Sequence, residues 1–286
     1  MKLATELLER VLTRLGFSER PAADLIGLRA IYLSWCRNVS FDNIRKLIHV
    51  SEVDPGPLPG GDASDFFEHW LKHGTGGTCW AGNGALHCLV TALGFTAVRG
   101  VATMLVKPNL PPSHGTVVVD LEGVSYLVDA SILHEKPLPL IEDTPLSAEF
   151  RGVRLERRDE LWRVWWRPLH SHNDLECRVD FLDVTAEDFI ARYEKTRIWS
   201  PFNFELSFRL CRGDYAEGFG MGEFVQMNAE GAATRSRLTN EERARVLIHR
   251  LGVSEEMVRR LPEDRPTPPP PGSATAERAA RQSSSP

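Results

Sequence analysis

The chain has 286 residues, 42% hydrophobic and 26% charged, with a formal net charge of −5. That is ordinary globular composition with ample apolar material for a core, and it lacks the basic excess that nucleic-acid binding needs. No apolar run approaches the ~20 residues of a membrane span, and five cysteines without C-x-x-C spacing argue against a zinc site or a disulfide framework.

The first 17 residues read as an amphipathic helix with charges throughout, not as a signal peptide. Free thiols and the absence of a leader or span predict a reducing, cytoplasmic setting. Leu3, Leu7, Leu8, Val11 and Leu15 form one stripe, ended by Gly16. A second helix is expected over Ala22–Arg37. The segment VSFDNIRKLIHV follows, then a Pro/Gly-rich loop and a short helix near Asp65–Lys72.

Next comes HGTGGTCWAGNGALHCLVTALGF. From Trp80 on, apolar residues recur at Ala85, Leu86, Leu89, Val90 and Leu93, the spacing of one helix face, and Gly94 stops it. Cys79 therefore belongs at a helix N-terminus. Unpaired N–H groups and the positive dipole end favour a thiolate there. Gly76 and Gly77 are expected to allow a tight turn and close approach of a substrate.

From Phe95 the period changes to two. Strands are expected over Phe95–Val106, Thr116–Leu121 and Val124–Val128, the last two joined at Glu122–Gly123. A further hairpin is expected over Val153–Arg157 and Leu161–Arg167, so the centre reads as an antiparallel sheet or barrel. Thr185 caps a helix reaching Thr196. Strands at Phe204–Cys211, Glu223–Met227 and Ala232–Leu238 follow, then helices over Asn240–Arg250 and Glu255–Leu261. The Pro- and Ser-rich remainder reads as a disordered tail.

A cysteine nucleophile needs a base, and the base needs a group that fixes its tautomer. His114 opens the strand HGTVVVDL, and Asp129 ends the strand SYLVDA. Pairing through the 122–123 turn places position 114 opposite about 131, so His114 and Asp129 become diagonal neighbours. His134 is a rival base. His87 lies eight positions (87 − 79) along the Cys79 helix, about 12 Å away. His170 and His172 fall in a polar loop.

The GGTCW…N element, ALGF, HGTVVVDLEGVSYLVDA, VSFDNI and the closing LIHRLGV together resemble the arylamine N-acetyltransferases, in family order over roughly residues 1–260. The resemblance implies an α+β fold: a helical N-terminal domain (1–94), a central antiparallel β-barrel (95–184), a C-terminal α/β lid (185–261) and the tail (262–286). It also implies a papain-like Cys-His-Asp triad, carried here by Cys79, His114 and Asp129. The implied reaction moves an acyl group from acyl-CoA, acetyl-CoA foremost, through a cysteine acyl-enzyme to an amine or hydroxylamine. CoA is then a co-substrate, and no bound cofactor, metal, nucleic acid or membrane is called for.

The departures are local. Thr75 stands where the family has Arg, and Ala81 where it has Glu. After Asp129, Ala130-Ser131-Ile132-Leu133 replaces Val-Gly-Phe-Gly, a segment expected to line the acceptor pocket. Hence three alternatives: an amide synthase fed by an acyl carrier protein, a cysteine hydrolase, or a non-catalytic binding scaffold.

Overall fold

The computed structural model describes residues 3–53, 56–107, 110–142, 153–273, 275, 276 and 278. Five helices dominate the first third: α1 (Thr5–Arg14), α2 (Leu25–Asn38), α3 (Ile44–Ser51), α4 (Ala63–His73) and α5 (Cys79–Ala92). Local chemistry sets their ends. Asp24 accepts from the Gly27 N–H at 2.7 Å, and Asp62 accepts from the Ser64 and Asp65 N–H groups. The two-residue strand β1 (Phe41–Asp42) lies between α2 and α3.

A seven-stranded antiparallel sheet fills the middle of the chain. Its strands are β2 (Thr96–Met104), β3 (His114–Leu121), β4 (Val124–Val128), β5 (Leu138–Pro139), β6 (Arg154–Arg158), β7 (Leu161–Trp166) and β8 (Leu175–Phe181), in the order β5-β4-β3-β2-β8-β7-β6. The expected barrel thus takes the form of a sheet whose edge strands β5 and β6 do not pair with each other among the described residues. In the β3–β4 turn, Glu122 (φ 51°) and Gly123 (φ 82°) both take the left-handed conformation that a tight two-residue hairpin requires. The turn locks the register Val117↔Val128 through Leu121↔Val124.

Helix α6 (Ala186–Lys195) follows, capped by Thr185, and a short 3₁₀ turn covers Pro201–Asn203. A second antiparallel sheet, in the order β1-β9-β10-β11-β12, combines β1 with β9 (Phe208–Cys211), β10 (Tyr215–Gly220), β11 (Glu223–Asn228) and β12 (Ala233–Ser236). Helix α7 (Asn240–Arg245) runs into a π turn over Val246–Arg250, and α8 (Glu255–Arg260) ends the regular structure. The main core joins α1, α2, α4 and α5 to Val101, Val117, Val119 and Val128 of the larger sheet. Another core packs Ile44, Leu47 and Ile48 of α3 against Leu206, Phe208, Phe219 and Leu251. No helix is long and apolar enough to cross a membrane among the described residues.

The start of the supposedly disordered tail is held in place. Asp264 accepts from the Leu206 N–H at 2.8 Å and pairs with Arg243 at 3.0 Å. The Arg265 N–H donates to the Phe204 carbonyl at 3.0 Å. Composition gave no sign of these contacts because they depend on partners about 20 to 60 positions away. Residues 279–286 lie outside the described residues.

Candidate active site

Cys79 is the first residue of α5, and the loop before it is strapped down. The Asp42 carboxylate accepts from the Gly76 N–H at 2.6 Å, the Ser40 hydroxyl at 2.7 Å and the Ile44 N–H at 3.0 Å. The Asp42 N–H donates to the Gly77 carbonyl at 3.1 Å, and Phe41 forms a parallel bridge with Gly77. Gly76 is required by this packing: a Cβ there would meet the Ser40 carbonyl oxygen at 1.9 Å. Close approach of a substrate, the expected reason for this glycine, is not what the backbone needs it for. Thr75 is wholly buried and leaves its hydroxyl unpartnered among the described residues, while backbone N–H groups and a serine satisfy Asp42.

The first turn of α5 receives no side-chain cap from Thr78. Its orphan N–H groups and positive dipole end therefore surround Cys79. The thiol is 6% exposed. His114 opens β3, and the Cys79 thiol reaches the carbonyl of the residue before it, Ser113, at 4.0 Å. The His114 Nε2 lies 2.7 Å from Asp129 Oδ2. This leaves Nδ1 as the nitrogen available to the sulfur. The β3–β4 register extends to place 114 opposite 131 (117 + 128 = 114 + 131), as the turn position predicts. The three predicted residues are thus brought together.

Asp129 is fully buried, and its second oxygen accepts from the Ser131 N–H (2.8 Å) and the Ile132 N–H (3.0 Å). Burial alone would raise its pKa. The His114 charge and these hydrogen bonds overcome burial and lower it to about 2. For His114, burial acts downward, but the Asp129 charge and then Cys79 push it up to about 10. The imidazole is therefore held as a cation between a carboxylate and the thiol.

Two further residues hold this arrangement. Asn83, fully buried one turn along α5, donates to the Gly115 carbonyl at 2.6 Å and accepts from the Ala130 N–H at 2.9 Å. The Tyr32 hydroxyl donates to the Asp129 carbonyl at 2.9 Å and accepts from the Asp129 N–H at 3.1 Å. Asn83 carried a signal in the sequence as the polar residue at i+4 from Cys79. Tyr32 carried no such signal, being 97 positions from its partner.

The rival histidines stand elsewhere. His134 contacts the Lys136 carbonyl at 2.5 Å and the Tyr32 ring, and His87 contacts the Ala97 carbonyl at 3.1 Å. After Asp129, Ile132 and Leu133 are 1% and 0% exposed and belong to two hydrophobic cores. An aromatic pair lies beside the nucleophile loop: Phe41, bridged to Gly77, meets Phe202 edge-on at 5.2 Å.

A family profile of N-acetyltransferases matches residues 24–257. The chain belongs to the arylamine N-acetyltransferase family. A curated arylamine N-acetyltransferase from Escherichia coli strain K12 is 22% identical over 214 residues, 73% of each chain. Among solved structures, the arylamine N-acetyltransferase of Salmonella typhimurium superposes with a TM-score of 0.75 at 18% identity, covering 98% of this chain and 99% of that one. The Mycobacterium marinum arylamine N-acetyltransferase, solved in complex with CoA, gives 0.74 at 18% identity over 88% of this chain and 94% of its own. This member of the arylamine N-acetyltransferase family is an acyltransferase.

Proposed function

We propose that the enzyme transfers an acetyl group from acetyl-CoA to an arylamine through an acyl-thioester on Cys79, with His114 as acid and base and Asp129 as its orienter. The observation that carries this reading is a buried thiol at an uncapped helix N-terminus, 4.0 Å from the carbonyl of the residue preceding His114, whose imidazole lies 2.7 Å from the Asp129 carboxylate.

The Cys79 sulfur, as thiolate, attacks the carbonyl of the CoA thioester. The carbon–sulfur bond to CoA breaks, and the departing CoA thiolate takes the proton from His114. The uncapped N–H groups at the start of α5 are the donors available to the carbonyl oxygen as charge gathers on it. Acylation removes the negative charge at Cys79, one of the influences that raise His114. A less strongly held imidazole can then accept the proton of the amine as nitrogen attacks and the Cys79–acyl bond breaks. Asp129 steadies the ring through both halves while its own oxygens remain occupied by backbone N–H groups. The family resemblance and the CoA complex of the M. marinum relative support acetyl-CoA as donor. The Phe41–Phe202 pair supports a flat aromatic acceptor.

The test is intact-mass spectrometry after mixing the enzyme with acetyl-CoA alone. One acetyl adduct should form, map to Cys79, and leave the protein when aniline is added. An adduct on Cys36, Cys88, Cys177 or Cys211, or none with any acyl-CoA, would reject the assignment.

A further inference from the structure

A cavity of about 180 Å³ lies between α5 and α6. Trp80, Gly84 and Cys88 of α5, Arg99 of β2, and Phe189 and Tyr193 of α6 line it, and Cys79, His114 and Asp129 do not. An apolar cavity of about 150 Å³ holds benzene, so this one has room for a single ring with a small substituent. Its opening falls at a glycine that packing does not demand. Gly84 sits inside α5, where glycine weakens a helix relative to alanine. A Cβ at Gly82 would press on the Ala130 Cβ at 3.1 Å, whereas one at Gly84 would meet only Phe189 Cε1, at an ordinary 3.7 Å. A large side chain at position 84 would fill the space.

The lining combines rings with two unspent donors. Trp80 and Phe189 meet edge-on with centroids 4.9 Å apart. The Tyr193 hydroxyl donates to the Pro59 carbonyl at 2.8 Å, so Tyr193 offers its ring. Arg99 is half-buried; its guanidinium donates to the Cys88 sulfur at 3.9 Å, and among the described residues no carboxylate pairs with it. Trp80 is 3% exposed, and its indole N–H has no partner among the described residues. Glu187, the other charged residue of the lining, is exposed in the first turn of α6. A half-buried guanidinium without a counter-charge favours a carboxylate, which accepts two of its N–H bonds at once. Aromatic walls favour a flat ring. The walls are also fixed in advance, because both rings are wedged against Gly115: a Cβ there would collide with Phe189 and lie 2.9 Å from Trp80 Cε3.

We propose that this cavity is a binding site for a small aromatic carboxylate, of which benzoate is the simplest, with its charge on Arg99 and its ring among Trp80, Phe189 and Tyr193. The site is separate from the acyl-transfer centre and does not depend on which cysteine is acylated. It gives the unpaired guanidinium of Arg99 a counter-charge and puts a ring in the space that Gly84 leaves open.

The test is isothermal titration calorimetry of the whole protein with benzoate, benzamide and acetate, in the wild type, Arg99→Met and Gly84→Leu. Benzoate should bind the wild type at one site per chain, with a Kd in the millimolar range or tighter. Benzamide, which keeps the ring and loses the charge, should bind about tenfold or more weakly, and so should benzoate to Arg99→Met, the worth of a hydrogen bond to a charged group. Acetate, which lacks the ring, should give no measurable binding. Gly84→Leu, which fills the cavity, should abolish benzoate binding; should that variant fail to fold, the benzamide and Arg99→Met arms decide the question by themselves. No binding of benzoate to the wild type, equal affinity for benzoate and either of the other two ligands, or unchanged benzoate binding in either variant would overturn the proposal. None of these results bears on Cys79 as the nucleophile, which acyl loading tests separately.

Discussion

Asn83 and Ala130 are 47 positions apart, yet the Asn83 side-chain oxygen accepts the Ala130 N–H at 2.9 Å. The same amide donates to Gly115, the residue after His114, and reaches Asp129 at 3.4 Å. One side chain on the nucleophile helix therefore fixes the distance between that helix and both strands that carry the other two candidate residues. Asn83→Ala should cost about 1–3 kcal/mol, because it strands a buried carbonyl and a buried N–H. Urea titration measures this loss. Acyl loading of the folded variant should slow as well, since His114 and Asp129 would no longer be held against α5.

The His114–Asp129 pair makes stability depend on pH in a predictable direction. His114 is raised from 6.5 to about 10, so its contribution is complete below pH 6.5 and fades as pH climbs through 10. Asp129 is lowered from 3.8 to about 2, so its contribution is complete above 3.8 and fades as pH falls toward 2. Asp129→Asn should therefore lie furthest below the wild type in unfolding free energy between about pH 4 and 6.5, with the gap narrowing toward pH 10. Denaturant titrations at four or five pH values give the curve; a gap that widens above pH 7 would contradict it. Activity should fall on the order of 10³–10⁴-fold, as when other such triads lose their carboxylate.

The Phe41–Phe202 pair separates the two half-reactions. Phe202→Leu keeps apolar bulk but removes the edge-on ring, an interaction of about 0.5–1.5 kcal/mol beyond area. Turnover of aniline as kcat/KM should drop about 2- to 13-fold. Loading of Cys79 by acetyl-CoA alone should be unchanged. An equal loss in both would place the pair on the donor side.

The tail makes a clear case for truncation. A chain ending at Leu261 loses Asp264, leaving the Leu206 N–H and the half-buried Arg243 without this carboxylate. It should lose about 1–3 kcal/mol. A chain ending at Ser273 keeps both contacts and should melt like the whole protein. Equal melting temperatures for the two truncated chains would show that residues 262–273 contribute nothing to the fold.

The hairpin that joins His114 to Asp129 was legible because turn chemistry and a two-residue period both act locally. The Glu122–Gly123 turn fixed the register, and Cys79 took the helix start that its neighbours predict. Strand β10 was not legible. Its sequence YAEGFG reads as a polar turn, and its Glu217 is tolerated at 1% exposure only because Arg212 and Arg250 reach it at 3.0 Å and 2.5 Å. Strand β8 follows the polar loop ending in Asn173 and Asp174, which masks the alternation of Leu175, Cys177 and Val179. Leu133 misled in another way. Read along the chain, it replaces a glycine in a binding segment; in space it accepts a φ of 52° and buries its side chain in the core. Packing there outweighs backbone strain of about 1–2 kcal/mol.

The strap at Phe41 and Asp42 also bears on how this sequence can change. These two residues bridge Gly77, accept the Gly76 N–H and pair with Arg209 and Phe208 of β9. Because strand side chains alternate, one residue inserted between Ser40 and Ile44 would turn the Asp42 carboxylate to the opposite face. The loop carrying Cys79 would lose its anchor and the smaller sheet its edge at one stroke. Between residues 40 and 44, chain length itself is under constraint, independent of which side chains occupy it.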